Sequence, residues 1–202
     1  MNRLLPTVLI LTILMFVSTA TRAATIEVAG GPYFPLVDKD DIVESGYEVT
    51  LGLSSTVQTW LMVSLSAGYS HLKTVESITI PNQHHGPPEE VYDPGDWDIY
   101  NISLDARFGW GLEGPHRFWF AAGLGWYHLS AEDATYPHEW YHTEISANDI
   151  GVRLSAGGSL YLSNHKRIGT VVRYSYTDFS NKDYDPVYLA GVQAQLFLGF
   201  DL

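Results

Sequence analysis

Residues 188–202 read YLAGVQAQLFLGFDL, and apolar and polar side chains alternate through most of this stretch. One set of alternate residues is apolar throughout and comprises Val192, Ala194, Leu196, Leu198, Phe200 and Leu202. The other set of alternate residues is mainly polar and comprises Gln193, Gln195, Phe197, Gly199 and Asp201. Because successive side chains of a β-strand point to opposite faces, the stretch predicts a strand with one apolar and one mainly polar face.

The same alternation recurs along the chain, and no window of the sequence shows a sustained helical period. It predicts eight strands, at 25–34, 45–54, 58–71, 97–110, 117–129, 147–162, 168–178 and 188–202. Long connections (35–44, 72–96, 130–146 and 179–187) alternate with short turns (near 55–57, 111–116 and 163–167). Every proline between residues 24 and 202 except Pro32 falls in a connection, as expected because proline cannot donate to a strand ladder. The sequence therefore predicts an all-β, up-and-down, antiparallel fold.

The N-terminus has the order of a secretory signal. A short basic start is followed by an uncharged apolar run at 4–17 and then by small residues, with cleavage options after Ala20, Ala23 or Ala24. The apolar run contains Pro6 and is shorter than the roughly 20 residues of a spanning helix. We expect residues 1–23 to be a cleaved signal peptide and residues 24–202 to form one barrel domain.

Composition excludes several classes of protein. The 202 residues include no cysteine, so disulfide and thiolate–metal frameworks are impossible. With 46% hydrophobic and 13% aromatic residues the chain is too apolar to be disordered. Its formal net charge of −12 disfavours non-specific electrostatic binding to the phosphates of nucleic acid, so we expect no nucleic-acid partner.

The polar face of the predicted strands is built of glycine, serine, asparagine and glutamine, with isolated charges of both signs. The mid-strand charged residues all fall on it: Glu27, Glu48, Asp105, Arg107, Arg153 and Arg173. Such residues suit the inside of a narrow barrel, where each arginine must find a carboxylate. We expect these six to form a salt-bridged lumen network that plugs the barrel, and a narrow, porin-like pore is the alternative.

Aromatic residues cluster at both ends of the strands. Towards the long loops lie Tyr33, Tyr69, Trp97, Trp126, Tyr127 and Tyr188, and towards the short turns lie Trp60, Trp110, Phe118, Phe120 and Phe200. Two such belts are typical of a barrel that spans a membrane with its apolar face outward. We expect Trp119, Tyr127, Tyr161 and Phe197 to fill the interior. The alternative is a soluble lipocalin-like barrel with the apolar face inside.

The region 24–202 resembles the small eight-stranded outer-membrane barrels of the OmpA/OmpX-like superfamily. The sharpest match is the C-terminus, where Leu196, Leu198, Phe200 and Leu202 resemble the assembly signal of such barrels, although that family usually ends in phenylalanine. The resemblance implies a transmembrane β-barrel in the Gram-negative outer membrane. It also implies the barrel-assembly machinery, outer-membrane lipids and lipopolysaccharide as partners.

Two histidine-bearing stretches raise the question of metal binding. Residues 138–142 (HEWYH) match H-E-x-x-H, but that motif needs a helix to aim both histidines at zinc, and here Pro137 and flanking strands oppose a helix. We therefore expect no metal centre and no cofactor. The second long loop carries His84 and His85 beside acidic residues, so divalent-cation binding at the loops is an alternative to simple solvation.

Residues 178–181 (Asp-Phe-Ser-Asn) are similar to the H-x-S-N segment of the lipid A 3-O-deacylases, which are also eight-stranded barrels. Ser180 and Asn181 match, but Asp178 stands where that family has histidine, and an aspartate is a poor base for a serine nucleophile. We therefore expect no catalytic residues. The expected function is a non-enzymatic envelope-structural or surface-interaction role, and lipid A hydrolysis is the enzymatic alternative.

Overall fold

The computed structural model describes residues 24–36, 43–74, 78–80, 90–92, 96–135, 142–163, 165–179 and 187–202. This part of the chain forms ten strands: β1 (Ala24–Pro35), β2 (Val43–Gln58), β3 (Leu61–Thr74), β4 (Ile78–Ile80), β5 (Glu90–Tyr92), β6 (Trp97–Trp110), β7 (His116–Thr135), β8 (His142–Ser163), β9 (Lys166–Phe179) and β10 (Val187–Asp201). Within these ranges there is no helix of the length and hydrophobicity needed to cross a membrane. The predicted signal peptide lies outside the described residues.

Eight of the strands close into a barrel in the order β1-β10-β9-β8-β7-β6-β3-β2. Every neighbouring pair is antiparallel, and the seam between the first and last strands runs from Thr25↔Asp201 to Pro35↔Gly191. The two short strands β4 and β5 pair only with each other, in a small hairpin within the predicted 72–96 loop. The predicted all-β, eight-stranded antiparallel barrel is confirmed.

The predicted turn near 55–57 is wrong. β2 continues to Gln58, and the turn consists of Thr59 and Trp60. Small polar residues at 54–56 suggested a turn because they are common in turns. They are instead buried side chains of the barrel wall, each at most 1% exposed.

The predicted long loop at 130–146 is also largely wrong. β7 and β8 stay paired as far as Thr135↔His142, with an irregularity between Ala131 and Ala134. β8 has 22 residues, about twice what a tilted strand needs to cross a bilayer. The β7–β8 hairpin therefore extends well beyond the barrel on the loop side, where polar side chains no longer have to alternate with apolar ones.

The outer wall of the barrel is apolar and the interior is polar. Leu154 is 56% exposed and Leu196 is 65% exposed, whereas Gln195 is 3% exposed and Ser64 is fully buried. Leu196, Leu198, Phe200 and Leu202 all lie on the exposed outer face. A soluble barrel has the opposite arrangement, so the lipocalin-like alternative does not fit this structure.

Exposed aromatic side chains flank the apolar wall at both ends. The turn-side belt contains Trp60, Phe108, Trp110, Phe118, Phe120 and Phe200, and the loop-side belt contains Tyr47, Tyr100, Trp126, Tyr174, Tyr176 and Tyr188. On β6 the belts are ten residues apart, at Tyr100 and Trp110. At about 3.3 Å per residue and a tilt of about 40° this separation is roughly 25 Å, which is the height of the apolar band of an outer-membrane barrel.

Three aromatic residues predicted for the loop-side belt lie elsewhere. Tyr33 and Tyr127 are 3% and 5% exposed and belong to one cluster inside the barrel, and Trp97 packs against that cluster. For Tyr127 the alternative prediction, that it fills the interior, is the correct one. All three have the inward parity of their strands. Proximity to a strand end suggested the belt, but parity decides on which side of the wall a side chain lies.

The outward face of β8 provides a test of this arrangement. Leu154→Arg should lower the free energy of unfolding in lipid vesicles by about 2–4 kcal/mol, because it places a charge in the middle of the apolar band. Ser146→Arg is the matched control, since Ser146 is an exposed residue of the same strand on the loop side, and it should be nearly neutral. Urea titration of the vesicle-embedded barrel measures both, and equal effects would contradict the outward assignment.

Candidate functional site

The six charged residues predicted for the lumen are all buried inside the barrel, and they form three arginine–carboxylate pairs. In the first pair Arg107 donates from Nη1 and Nη2 to the two carboxylate oxygens of Glu27, each at 2.7 Å. Nη2 of Arg107 also donates to Ser64 Oγ at 2.9 Å, and Ser54 Oγ donates to Glu27 at 3.1 Å. This bidentate geometry is the strongest form of such a pair.

The second pair joins Arg153 to Asp105, with Nη2 of the arginine 3.0 Å from Oδ2 of the aspartate. Nη1 of Arg153 also donates to the hydroxyl of Ser103. Gly123 on β7 makes room for this pair, because a Cβ there would lie 2.0 Å from Oδ1 of Asp105. Any side chain at position 123 would therefore displace the carboxylate.

The third pair lies between Arg173 and Glu48, with Nη1 of the arginine 3.3 Å from Oε1 of the glutamate. Nη1 also donates to Gln195 Oε1 at 3.2 Å, and the Thr50 hydroxyl donates to the same oxygen at 3.1 Å. The three pairs link β6 to β1, β6 to β8 and β2 to β9, none of which are neighbours in the barrel. Each pair therefore bridges the interior rather than running along the wall.

A fourth charged cluster closes the turn-side end, and the sequence prediction missed it. Arg167 donates to both oxygens of Asp201, at 3.2 and 2.9 Å, and Nη2 of Arg117 lies 3.7 Å from the same carboxylate. Thr25 donates to Asp201 at 2.7 Å, and the Arg167 guanidinium lies 3.5 Å from the centroid of the Tyr161 ring. The sequence contained the signal, because Arg117 and Asp201 lie on the inward face of predicted strands, but both stand at strand ends, and Arg167 falls in the predicted turn near 163–167.

Apolar clusters fill the interior above and below the charged pairs. The loop-side cluster contains Tyr33, Leu72, Ile99, Tyr127, Leu129, Ala147, Phe179 and Leu189. The turn-side cluster contains Ala29, Met62, Leu112, Trp119, Ala121, Val171 and Phe197. Leu112 is fully buried although it belongs to the β6–β7 turn, so this turn folds a side chain into the barrel. Gly111, with φ of 65°, permits the tight geometry of that turn.

The interior leaves little empty space. One cavity of about 10 Å³ lies beside Glu48, Arg153 and Arg173, and another of about 20 Å³ lies beside Glu27 and Arg107. Each has room for about one water molecule. Around these two cavities the described side chains pack closely, as in a plug.

Most of the predicted loop chemistry falls outside the described residues. This applies to His84, His85, Ser180, Asn181 and residues 138–141 of the H-E-x-x-H stretch. His142 is the first residue of β8, whereas the zinc motif places both of its histidines on one helix. Among the described side chains no group of three or more histidine, aspartate or glutamate residues converges as metal ligands would.

The Glu27–Arg107 pair offers a test of the interior network. Glu27→Gln leaves a buried guanidinium without its counter-charge and should cost about 3–5 kcal/mol of unfolding free energy. The double variant Glu27→Gln with Arg107→Met should cost clearly less than the sum of the two single changes. Asp98→Asn is the control, because Asp98 is 36% exposed in its contact with His71 and such pairs contribute about 1 kcal/mol or less. Additive single effects in urea titrations would show that the buried pair does not act as a unit.

Comparison with known proteins finds matches of structure only. No protein-family model and no curated protein sequence matches the chain. Among solved structures, Neisserial surface protein A is 12% identical with a TM-score of 0.58, covering 88% of this chain and 96% of that one. The attachment invasion locus protein of Yersinia pestis, in complex with the heparin analogue sucrose octasulfate, is 11% identical with a TM-score of 0.55, covering 89% and 98%.

A major outer membrane protein from Thermus thermophilus is 13% identical with a TM-score of 0.55, covering 89% of this chain and 99% of that one. At this level of identity the similarity concerns the fold and carries no information on activity. Nearly the whole of each chain is covered, so the likeness extends to the complete barrel. The chain therefore has the fold of the small eight-stranded outer-membrane β-barrels.

Proposed function

We propose that this chain is a non-enzymatic integral protein of the Gram-negative outer membrane, with a closed interior and an envelope-structural or surface-interaction role. The observation that carries the proposal is the combination of an apolar outer wall with an interior of paired charges. The wall supplies the surface that a bilayer requires. The filled interior leaves the loop side as the place where interactions with other molecules occur.

The loop side is strongly acidic in sequence. The four long connections contain fifteen acidic residues and only three basic ones, Lys39, Lys73 and Lys182. Such a surface attracts cations and repels polyanions, unlike a surface that takes up a heparin analogue as the Yersinia protein does. We propose that the loops hold divalent cations that bridge to phosphate groups of lipopolysaccharide, and that nucleic acid is not a partner.

The C-terminal strand supports assembly by the usual route of outer-membrane barrels. The outward face of β10 carries a continuous row of exposed apolar side chains, Leu196, Leu198, Phe200 and Leu202. The amide of Leu202 donates to the carbonyl of Ala24 at 2.8 Å, so the strand is paired to its end. We propose that the barrel-assembly machinery recognises this outward row before the barrel closes, after removal of the signal peptide.

The closed interior predicts the electrical behaviour of the protein. Purified barrel incorporated into a planar bilayer should show no steady single-channel conductance, because charged pairs and two apolar clusters occupy the lumen. Heat-dependent mobility on a gel provides the control that the protein is folded. Regular conductance steps from folded wild-type protein would contradict the closed interior and would support the alternative of a narrow pore.

Lipid A hydrolysis is the enzymatic rival, and it has a direct test. Expression in a Gram-negative host should leave the lipid A mass spectrum unchanged, because Asp178 replaces the histidine base of the deacylases. Ser180→Ala is the matched variant. Loss of an acyl chain that is restored by this substitution would make the protein an enzyme with an unusual base.

A further inference from the structure

The seam between β1 and β10 differs from the other contacts of the barrel, because no turn sets its register. The other seven neighbouring pairs join strands that follow one another along the chain through the barrel. In such hairpins the connection helps to fix the register. At the seam the paired residues Thr25 and Asp201 are 176 positions apart in the sequence. The register of the seam therefore depends on side-chain contacts.

The outer face of the seam does not distinguish the observed register from one that is shifted by two residues. Such a shift keeps every side chain on its own side of the wall. Ile26 and Val28 of β1 would still face apolar side chains. The outward row of β10 supplies an exposed apolar side chain at every second position: Leu196, Leu198, Phe200 and Leu202. The hydrogen-bond pattern of an antiparallel ladder repeats with the same period.

The inner face does distinguish these registers, through the contacts of Asp201. In the observed register the Thr25 hydroxyl of β1 donates to the Asp201 carboxylate at 2.7 Å and accepts from Nη1 of Arg117 at 3.1 Å. Arg167 of β9 donates to both oxygens of the same carboxylate, at 3.2 and 2.9 Å, and so holds it in place. β1 is thus attached through one residue to a charged group that β7, β9 and β10 provide together.

A slip of two residues in either direction would disrupt this arrangement. In one direction Asp201 would lie opposite Glu27, and like charges that face each other across a strand pair are destabilising. In the other direction Gly199 would lie opposite Thr25. The Asp201 carboxylate would then project beyond Ala24, the first residue of β1, and would lose its donor on that strand.

A second contact also spans the seam, but it joins neutral groups. The Thr50 hydroxyl of β2 donates to Gln195 Oε1 of β10 at 3.1 Å. Hydrogen bonds in which one partner is ionised are roughly twice as strong as bonds between neutral groups. We therefore expect Asp201 to discriminate between registers more strongly than Gln195 does.

We propose that the contact between Asp201 and Thr25 sets the register of the closing seam and, with it, the stagger of the whole barrel. The stagger of a closed barrel is the sum of the offsets between neighbouring strands, and the seam contributes the last of them. The outward row of β10 cannot supply this information, because it repeats every two residues. Asp201 is thus a positioning residue for closure, a role that goes beyond the proposed envelope function and does not depend on what the loops bind.

Disulfide trapping reports the register directly, because the chain has no cysteine of its own. Val28→Cys combined with Leu198→Cys places two thiols at directly paired positions of the observed seam. Val28→Cys combined with Leu196→Cys or with Phe200→Cys reports a slip of two residues in one direction or the other. Diagonal neighbours are about 7–8 Å apart, which is beyond the usual Cα separation of a disulfide. Each double variant is refolded from urea into vesicles and oxidised.

With Asp201 present, only the directly paired cysteines should cross-link. Asp201→Ala should raise the yield of the slipped cross-links by about tenfold or more. Asp105→Ala is the matched control, because it also removes the carboxylate of a buried arginine pair, but between β6 and β8, away from the seam. It should keep the native cross-link. A native pattern in folded Asp201→Ala would overturn the proposal, as would equal slippage in both variants.

A variant that moves the carboxylate by two residues covers the case in which Asp201→Ala does not fold. Gly199→Asp combined with Asp201→Gly keeps the composition and the inward position of the charge. In the observed register the new carboxylate would lie opposite Glu27, whereas a slip of two residues brings it opposite Thr25. The cross-link that reports this slip should dominate, and a dominant native cross-link would show that the carboxylate does not set the register.

Discussion

Closure of the sheet between β1 and β10 is the constraint on which the rest of the structure depends. Hydrocarbon offers no hydrogen bonds, so a sheet in a membrane must pair every strand, and only a closed barrel leaves no edge. Here the seam is paired from Thr25↔Asp201 to Pro35↔Gly191. Eight strands fix a radius at which side chains fill the interior, and the plug is a consequence of that radius.

A narrow interior explains the choice of charged residues. All five arginines between residues 24 and 202 lie inside the barrel, whereas the described lysines, Lys73 and Lys166, are exposed. The planar guanidinium matches a carboxylate with two parallel bonds and is less strongly hydrated than an ammonium group. Buried pairs add little net stability, but removing one partner is costly. We therefore interpret the network as a device that fixes which strands face each other across the lumen.

The strands could be predicted from the sequence because the lipid side and the lumen side of the wall require opposite polarities at alternate residues. The end of β2 and the inward-facing aromatic residues could not be predicted, because the same residue types also occur in turns and in aromatic belts. Ser54 and its neighbours are small and polar, as turn residues are, yet they are buried residues of β2 near the turn-side end of the barrel. Tyr33 and Trp97 are aromatic and near strand ends, as belt residues are, yet they face inward. Leu112 closes the lumen from a turn, and no periodicity signals such a residue.

The most direct test of this inside-out arrangement is spin-label accessibility along β10 in lipid vesicles. The chain contains no cysteine, so Gln193→Cys, Ala194→Cys, Gln195→Cys and Leu196→Cys each create one labelling site. Labels at 194 and 196 should be reached by lipid-soluble oxygen but not by a water-soluble nickel complex, and labels at 193 and 195 should be reached by neither. Nickel access at 193 and 195 would contradict the closed lumen, and nickel access at 194 and 196 would contradict the lipid-facing wall.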